Sequence, residues 1–345
     1  MKKRLGLLLA LLAAGLMAFA AHAETDVLTL PARTKIVEPE TFYGNKALKT
    51  VKLPYGATSI QGRAFANSSV EEAYLPETLT YIAKNAFDGT PLKTVYAEEG
   101  TYAYNWAKAR GYILVDESNP ASDFTYSTNY YGCTITGYVG TSATVRIPHV
   151  IDGYRVTGID YGAFRNNKTV KSVSIPNSVT QLGSYAFDSC TALTSVHLPD
   201  SLETMDYYIF DGCTHLRSVR LPATLTELPF GMFDGCTALG SIDLPDGVET
   251  INSCAFYGCT ALTSIALPKS VTTLGDSAFS GCTALERVSF APQSALTQID
   301  DGVFSGCAAL TSFTLPAKVT SLGEYAFSNC AALKTVSFDP SCALS

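Results

Sequence analysis

The stretch that decides the fold spans residues 186–199 and reads AFDSCTALTSVHLP. Its phenylalanine recurs along the chain in steps of 23 residues, with one step of 25: Phe164, Phe187, Phe210, Phe233, Phe256, Phe279, Phe304 and Phe327. A weaker copy of the pattern passes earlier through Phe42, Phe65 and Phe87. A fixed period in this range predicts a solenoid, in which each unit buries its apolar face only by stacking on its neighbours.

The LxxVxL spacing inside this stretch is that of the strand segment of a leucine-rich repeat. Val196 and Leu198 are two residues apart and therefore point to one face of a strand, whereas Ser195 and His197 point to the other. Pro199 ends the strand because it lacks the N–H donor that a ladder needs.

The remainder of the repeat unit is predicted to contain a short extended segment followed along the chain by a turn. Residues 179–183 predict a second short extended piece, and residues 184–190 predict a helical turn that packs Phe187 inside. The predicted fold is therefore a leucine-rich repeat solenoid, mostly β with short helical turns, with a repeat period of 23 residues and two stacked arrays.

The two arrays are separated by a polar segment. We expect a first array over residues 24–115, closed by a short helical cap over 101–111 that ends at a glycine. Residues 116–123, rich in Ser, Asn and Pro, predict a linker. A second array follows over 124–345, and its first segment, 124–138, alternates like a hairpin.

The N-terminal segment predicts export. Residues 1–23 combine a basic start (Lys2, Lys3 and Arg4), an apolar run and the small-x-small ending Ala21-His22-Ala23, which together predict a signal peptide. Loss of its three positive charges would change the net charge from −7 to −10. An acidic chain argues against nucleic acid as a partner. No later stretch reaches the roughly 18 apolar residues of a transmembrane segment, so we expect a secreted or cell-surface protein.

The C-terminal segment has no visible cap. Residues 338–345 match residues 290–297 closely, but the earlier copy continues into the next repeat. An uncapped array exposes apolar surface and sheet edges. Two interpretations follow: further repeats after Ser345, which we favour, or a partner that covers this end through end-to-end association.

The consensus AFxxCxxLxxVxLP, set out over 186–199, resembles the BspA-like leucine-rich repeats of bacterial surface antigens, and the resemblance covers nearly all of 24–345. The segment from Ile135 to Ile159 also resembles the start of such arrays. Characterised members act as adhesins toward host matrix proteins, host cells or other bacteria. The resemblance implies a surface or secreted binding protein and transfers no catalytic residue; the chain shows no anchor and no second functional domain.

Seven cysteines occupy one position of the repeat, three residues after a phenylalanine: Cys190, Cys213, Cys236, Cys259, Cys282, Cys307 and Cys330. Export makes disulfides conceivable, but equivalent side chains on neighbouring rungs are parallel and about 4.8 Å apart, whereas a disulfide needs converging Cβ atoms. We therefore predict a column of buried free thiols. The first array has Asn45, Ser68 and Thr90 in this position. Off the column lie Cys133, Cys342 and Cys254, the last being the candidate for an exposed thiol.

Three aspartates, Asp188, Asp211 and Asp234, form a second column. Such a row could bind Ca²⁺, which prefers several oxygen ligands, or each carboxylate could accept a backbone N–H in its turn. We favour the second interpretation because the next rungs carry Tyr257, Ser280 and Ser305. The sequence contains no Cys-x-x-Cys pair for zinc. We predict no metal and no cofactor.

The outward strand positions are the candidate binding site. Most carry Ser or Thr, which either forms a face that a large ligand approaches closely or merely keeps an exposed sheet soluble. Three charged or polar residues interrupt this pattern on consecutive rungs. The candidate partner-binding residues are Ser195, His197, Ser218, Arg220, Ser241 and Asp243. Exposed tyrosines are a further candidate: Tyr185, Tyr207, Tyr208, Tyr257 and Tyr325.

Catalytic motifs are missing from the sequence. Outside the predicted signal peptide the histidines are His149, His197 and His215, and none lies in His-Glu-x-x-His. No nucleophile elbow or phosphate loop occurs. We predict a non-enzymatic exported protein that binds a macromolecule, a protein or a glycan of host matrix or cell surfaces. The alternative is a structural spacer or assembly module of a larger surface protein; a hydrolase acting through His197 is the third hypothesis.

Overall fold

The computed structural model describes residues 26–31 and 33–339. The predicted signal peptide, Cys342 and the C-terminal segment from residue 340 lie outside the described residues. The chain divides into two compact units, with the boundary between Glu117 and Ser118. Each unit has its own apolar core.

The first unit is a short β-solenoid closed by a helix. Its elements, in chain order, are β1 (Val27–Thr29), β2 (Ile36–Val37), β3 (Thr50–Lys52), β4 (Ser59–Ile60), β5 (Glu72–Tyr74), β6 (Tyr81–Ile82), β7 (Thr94–Tyr96), α1 (Tyr102–Lys108) and β8 (Ile113–Val115). Parallel pairing gives a five-stranded sheet, β1-β3-β5-β7-β8, and a three-stranded sheet, β2-β4-β6.

Helix α1 lies where the sequence predicts a helix. The Thr101 hydroxyl accepts a hydrogen bond from the Tyr104 N–H and so caps the N-terminus. Gly111, at φ 71, ends the segment in the left-handed conformation. The helix buries Trp106, whose ring lies 5.7 Å from that of Phe87. It therefore covers the last phenylalanine of the first array.

The second unit begins with a 3₁₀ turn over Ala121–Asp123 and continues as a longer solenoid. Its strands are β9 (Phe124–Asn129), β10 (Gly132–Tyr138), β11 (Thr144–Arg146), β12 (Val150–Ile151), β13 (Tyr154–Ile159), β14 (Ser172–Ser174), β15 (Gln181–Leu182), β16 (Ser195–His197), β17 (Thr204–Met205), β18 (Ser218–Arg220), β19 (Glu227–Leu228), β20 (Thr250–Ile251), β21 (Ser264–Leu267), β22 (Thr273–Leu274), β23 (Arg287–Phe290), β24 (Gln298–Ile299), β25 (Ser312–Leu315), β26 (Ser321–Leu322) and β27 (Thr335–Phe338).

Two ladders of parallel strands run along this unit. The first ladder carries the outward site residues and consists of the sheets β11-β14-β16-β18, β21-β23 and β25-β27. The second ladder consists of β9-β10-β13-β15-β17, joined by β12, and of β19-β20-β22-β24-β26. Strands β9 and β10 pair antiparallel, which confirms the predicted hairpin, and β10 pairs parallel with β13 of the first rung.

The core of the second unit is a stack of phenylalanine rings. Neighbouring rings from Phe164 to Phe327 are stacked, with centroids 4.9 to 5.7 Å apart. The rings at Phe187, Phe210, Phe233, Phe256, Phe279 and Phe304 are wholly buried. The interval seen in the sequence therefore sets the register of the stack, because each ring is covered only by the rings of the next rungs.

The phenylalanine segment is a series of three hydrogen-bonded turns, not the predicted helical turn. In residues 184–190, the Ala186, Asp188 and Cys190 N–H groups donate to carbonyls three residues earlier. Tyr185 and Ser189 take left-handed conformations, at φ 60 and 56. The Phe187 N–H donates to the Ile209 carbonyl of the following rung. Bonds between rungs replace the bonds that a helix would form within the segment.

The second ladder opens at one place, and the sequence explains why. At most rungs an N–H just after the strand donates to the rung before, as Asn252 does to the Leu228 carbonyl at 3.1 Å. Pro229 occupies the equivalent position after β19 and has no N–H to donate to Met205. Strands β17 and β19 accordingly belong to different sheets, and Met205 is partly exposed.

Candidate functional site

Four of the candidate residues, Ser195, His197, Ser218 and Arg220, lie side by side on the outward face of β16 and β18, next to β14. Parallel register aligns Ser172 with Ser195 and Ser218, and Ser174 with His197 and Arg220. In β16 the central residue, Val196, is buried and its neighbours are partly exposed, as expected for a strand with one face in the core. All six predicted site residues, on three consecutive rungs, line one groove of about 740 Å³.

Arg220 is the centre of a hydrogen-bonded cluster in this groove. Its Nη1 lies 3.1 Å from His197 Nε2 and 3.3 Å from the Leu198 carbonyl, and its Nη2 lies 2.8 Å from Asp200 Oδ2. The other Asp200 oxygen accepts the Ala223 N–H at 2.8 Å. These contacts fix the guanidinium on three sides, so that it is held in position before any partner binds.

The charge state of this cluster follows from its surroundings. Partial burial, and then the positive charge of Arg220, lowers the pKa of His197 to about 4. The imidazole is therefore neutral at physiological pH, and its Nε2 can accept the Arg220 N–H. Burial alone would raise the pKa of Asp200, but hydrogen bonds from Arg220 and from the Ala223 N–H hold it below its usual value.

Asp243 does not join the cluster. It lies in the same column, but residues 241–244 form no strand, and its carboxylate is exposed. Among the described residues, no ion pair or hydrogen bond of the Asp243 side chain is found. The acidic partner of Arg220 is instead Asp200, which the sequence analysis missed. The sequence could have indicated this contact, because Asp200 directly follows the strand-ending Leu198-Pro199 pair and therefore lies beside the next rung.

The floor of the groove is not a continuous sheet. None of the backbone hydrogen bonds found in the described chain joins residues 218–221 to residues 241–244. Gly240 stands at the start of the second segment, where glycine weakens a strand. Val219, Ile242 and Leu244 are partly exposed, whereas the equivalent Val196 and Ile265 are buried. The groove therefore offers apolar side chains beside its polar columns.

A second opening interrupts the same ladder further along. Strands β23 and β25 belong to different sheets, at the rung where the repeat lengthens to 25 residues. The cleft between them has a volume of about 1010 Å³ and is lined by both apolar and polar residues, including Arg287, Phe290 and Lys318. The phenylalanine stack keeps its usual spacing there, with 5.6 Å between the ring centroids of Phe279 and Phe304. The two extra residues of this repeat are therefore accommodated on the strand side, where β23 and β25 do not pair.

The cysteine column is buried and free, as predicted. The thiols of the second array from Cys190 to Cys307 are buried, and Cys330 is partly exposed. Each column thiol donates to the carbonyl of the phenylalanine one rung earlier, as Cys236 does to Phe210 at 3.2 Å. Burial raises the pKa of Cys213, Cys236 and Cys259 well above the usual thiol value. The cysteine position of the repeat therefore carries a hydrogen-bond donor, whereas the sequence predicted only a small apolar group there. Cys254 is partly exposed, and Cys133 is buried.

The aspartate column does not have one uniform role. Asp188 is buried and accepts Arg165 Nε at 2.6 Å and the Ser189 hydroxyl at 2.7 Å. Burial raises the pKa of Asp211, against a hydrogen bond from the Gly212 N–H, and raises that of Asp234 to about 6. Asp188 thus forms an ion pair, and the Gly212 N–H next to Asp211 donates to the Asp234 carbonyl at 2.8 Å. Within the described residues, no group of three or more His, Cys, Asp or Glu side chains could hold a metal ion.

The first array carries an outward column of a different kind. Tyr74 and Tyr96 stack at 3.9 Å with nearly parallel rings, and the Lys52 ammonium lies 4.3 Å from the Tyr74 ring centroid. Burial, followed by the hydrogen bond with Tyr96, raises the pKa of Tyr74 to about 12. The predicted site residues all lie in the second array. The equivalent positions of the triplets TVK, EAY and TVY would have indicated this column.

Comparison with known proteins agrees with this geometry. The model of the BspA type leucine-rich repeat region matches residues 15–106, 157–286 and 232–343, in six copies. The chain belongs to the BspA-type leucine-rich repeat family. The resemblance inferred from the AFxxCxxLxxVxLP consensus is thereby confirmed, and with it the leucine-rich repeat fold. A comparison with curated proteins finds no match.

Solved structures of bacterial leucine-rich repeat proteins resemble this chain. A leucine-rich repeat protein from T. pallidum is 34% identical, with a TM-score of 0.52, over 56% of this chain and 91% of that chain. A protein from Bacteroides ovatus is 25% identical over 89% of this chain and 76% of that chain, with a TM-score of 0.48. A leucine-rich cell surface protein from Faecalibacterium prausnitzii is 24% identical over 65% of this chain and 95% of that chain, with a TM-score of 0.40.

The BspA-type family suggests a role in protein binding or adhesion in general. Its solenoid fold is typically non-enzymatic. The part of the chain that the structure describes contains no helix with the length and apolar character that a membrane crossing requires.

Proposed function

We propose that this BspA-type protein is exported and acts, without catalysis, as a binding protein for a macromolecular partner, a protein or a glycan of host matrix or cell surfaces. The partner would contact the groove of the second array through Ser195, His197, Ser218, Arg220, Ser241 and Asp243. The observation that carries the proposal is the fixed guanidinium of Arg220, which Asp200 and His197 hold at the centre of the groove.

Three features of the groove support this assignment. Serines on neighbouring rungs leave the strand face open to close approach, since their side chains are short. Arg220 and Asp243 offer a donor and an acceptor at the same edge. The partly exposed Val219 and Ile242 add apolar area at the opened ladder. Such a mixture of apolar floor and polar rim is typical of a protein-binding surface.

The test is a binding panel with the purified protein. Immobilised fibronectin, fibrinogen, laminin, collagen, mucin and glycans would be compared for saturable binding. The variant Arg220→Ala should weaken binding by about tenfold or more, because it removes a preorganised charged donor. The matched control is Arg287→Ala, which removes an outward arginine from a later rung outside the groove.

Each outcome of the panel is informative. Binding that Arg220→Ala weakens and Arg287→Ala leaves unchanged supports adhesion through the groove. Binding that neither substitution changes contradicts the groove and moves the site elsewhere, for example to Tyr74 and Tyr96 of the first array. No binding to any partner of the panel contradicts the adhesion proposal.

A second candidate function is that of a spacer or assembly module. The last described rung exposes apolar side chains that other rungs bury, with Val336 38% and Phe338 54% exposed. These side chains could stack on another solenoid end. Sedimentation velocity over a range of concentrations would test this role. Association that Phe338→Ser abolishes would support it, and a monomer at all concentrations would contradict it.

A further inference from the structure

A column of exposed aromatic rings lies beside the phenylalanine stack of the second array, outside the groove. We call it the aromatic column; it consists of Tyr161, Tyr185, Tyr208 and Phe230. Successive rings lie 5.6, 5.1 and 5.1 Å apart. Tyr161 is 58% and Phe230 39% exposed, and the adjacent Tyr207 is 55% exposed. A continuous exposed aromatic surface of this kind is typical of an interaction site.

The backbone beneath the aromatic column is conformationally costly. Tyr185 and Tyr208 are left-handed, at φ 60 and 56, where the equivalent positions of the neighbouring rungs have Gly162 and Gly231. Left-handed conformations are unfavourable for bulky residues and free of steric cost for glycine. Cys254, Ser277 and Tyr325 are left-handed at the same position of later rungs, so this conformation belongs to the turn of the repeat. On the rungs of Tyr185 and Tyr208 this position carries an aromatic ring.

One end of the aromatic column already holds a cation. The Arg165 guanidinium carbon lies 5.1 Å from the Tyr185 ring centroid. Its Nε lies 2.6 Å from Asp188 Oδ2, and its Nη1 lies 3.4 Å from the Tyr161 hydroxyl. Arg165 therefore occupies a position formed by aromatic rings on one side and a carboxylate on the other. Cation–π attraction and a charge-assisted hydrogen bond act together there.

The same arrangement recurs on the next rungs without an internal arginine. Asp211 and Asp234 continue the column in which Arg165 and Asp188 stand, beside Tyr208 and Phe230. Burial raises the pKa of Tyr208, and the charges of Cys254, Asp234 and Asp211 act in the same direction. Among the described residues, neither Asp211 nor Asp234 has an ion pair. The positive charge of Arg165 acts on Asp211 and lowers its pKa in part. The column nevertheless holds three carboxylates, Asp188, Asp211 and Asp234, against one arginine, so its negative charge is complementary to a further cation.

We propose that the aromatic column is an interaction surface for a partner segment rich in arginine, whose guanidinium groups take on the rungs of Tyr208 and Phe230 the position that Arg165 takes on the rung of Tyr185. The rings would supply the stacking surface, and Asp211 and Asp234 the matching negative charge. Arginine fits better than lysine because its planar group stacks and hydrogen-bonds at once. This surface is separate from the groove and does not depend on the proposed adhesion site.

The experiment measures the affinity of the purified protein for an acetylated and amidated tetra-arginine peptide, at low ionic strength, by isothermal titration calorimetry. Tetraglutamine serves as the uncharged reference. Tyr208→Asn and Asp234→Asn should each weaken tetra-arginine binding by about tenfold, since each removes one side of the cation position. Asparagine tolerates the left-handed conformation of residue 208. Phe230→Ser replaces an exposed ring and provides a third variant should either of the first two melt early.

Two control variants separate the aromatic column from general attraction to an acidic protein. Tyr325→Asn changes an exposed, left-handed tyrosine (φ 59) that has an acidic neighbour, Glu324, and no stacked ring among the described residues. Asp243→Asn removes an acidic charge from the groove. Both controls should bind tetra-arginine as tightly as the unchanged protein. Equal binding of tetraglutamine, equal loss in the controls, or unchanged affinity in all three column variants would overturn the proposal.

Discussion

The two arrays stack phenylalanines alike but join their rungs differently. Ring centroids in the first array lie 5.2 and 5.0 Å apart, within the range of the second. In the first array the side chain three residues after each phenylalanine forms a hydrogen bond within its own turn. Asn45 accepts the Ala47 N–H at 3.0 Å, and Thr90 donates to the Phe87 carbonyl at 2.7 Å. In the second array the thiols bond to the rung before.

This difference shows that one position of the repeat can serve two purposes. A residue that bonds within its turn stabilises the rung by itself, whereas a thiol that donates across rungs couples neighbours. Coupling between neighbours determines how cooperatively a solenoid unfolds. We therefore expect the second array to unfold as one cooperative unit. The single tryptophan, Trp106, lies in the first array, so its fluorescence reports on that array alone.

The largest effect is expected from the phenylalanine stack. Phe233→Ala removes a wholly buried ring between Phe210 and Phe256 and should cost the second array about 3–5 kcal/mol. Guanidinium titration should show a lower midpoint by far-UV circular dichroism and an unchanged midpoint by Trp106 fluorescence. Phe65→Ala is the matched change in the first array and should shift the fluorescence midpoint. If both probes shift together in either variant, the two arrays do not unfold separately.

The second effect concerns the thiol column. Cys236→Ala removes the thiol donor of the buried Phe210 carbonyl, which keeps its bond from the Cys213 N–H. The loss of this one hydrogen bond should lower the free energy of unfolding of the second array by about 0.5–1.5 kcal/mol. Urea titration followed by circular dichroism measures this loss. Cys254→Ala, a change at a partly exposed thiol off the column, is the control and should cost less than about 0.5 kcal/mol. Equal losses in both variants would show that the bonds between rungs contribute nothing.

The smallest effect is expected at Asp234. Burial and then Asp211 raise its pKa to about 6, above the value in an unfolded chain, so the folded state binds the proton more tightly. Stability from this group is therefore greatest at low pH and falls as the pH rises toward 6. Asp234→Asn should stabilise the second array at pH 7 by about 1 kcal/mol or less, given the partial exposure of the carboxylate.

Thermal melting at pH 7 and pH 4 would measure this effect. The gain of Asp234→Asn should shrink toward pH 4, because the carboxyl group is then protonated in the folded protein. The Trp106 signal of the first array should not change between the two proteins. A stabilisation that is the same at both pH values would show that the carboxylate charge is not its cause.

Much of the fold could be predicted from the sequence because it depends on local spacing. The 23-residue interval predicts the stack from Phe164 to Phe327, and the LxxVxL spacing predicts strands such as Ser195–His197. Each of these needs only the identity of residues at a fixed interval in the sequence. The predicted helical turn over 184–190 was wrong, because bonds from one rung to the next outweigh bonds within the segment.

The candidate site was predicted only in part. The columns of Ser195 and His197 follow from strand alternation, which is why their neighbours on the next rungs could be named. The acidic partner of Arg220 could not be predicted in this way, because Asp200 contacts it from the segment after the preceding strand. The aromatic column could be suspected from its tyrosines, but the contacts of Arg165 with Tyr185 and Asp188 became visible only in the folded chain.

The period, the buried phenylalanines and thiols, and the BspA-type repeat follow from the sequence alone, because they depend on which residues recur and at what interval. The folded chain is needed to show where the ladders open, which carboxylate binds Arg220, and that one arginine stands beside three aspartates. Those features depend on side chains that approach each other across rungs, roughly 20 or more residues apart in sequence. Small differences such as Pro229 and Gly240 change these lateral contacts without changing the period.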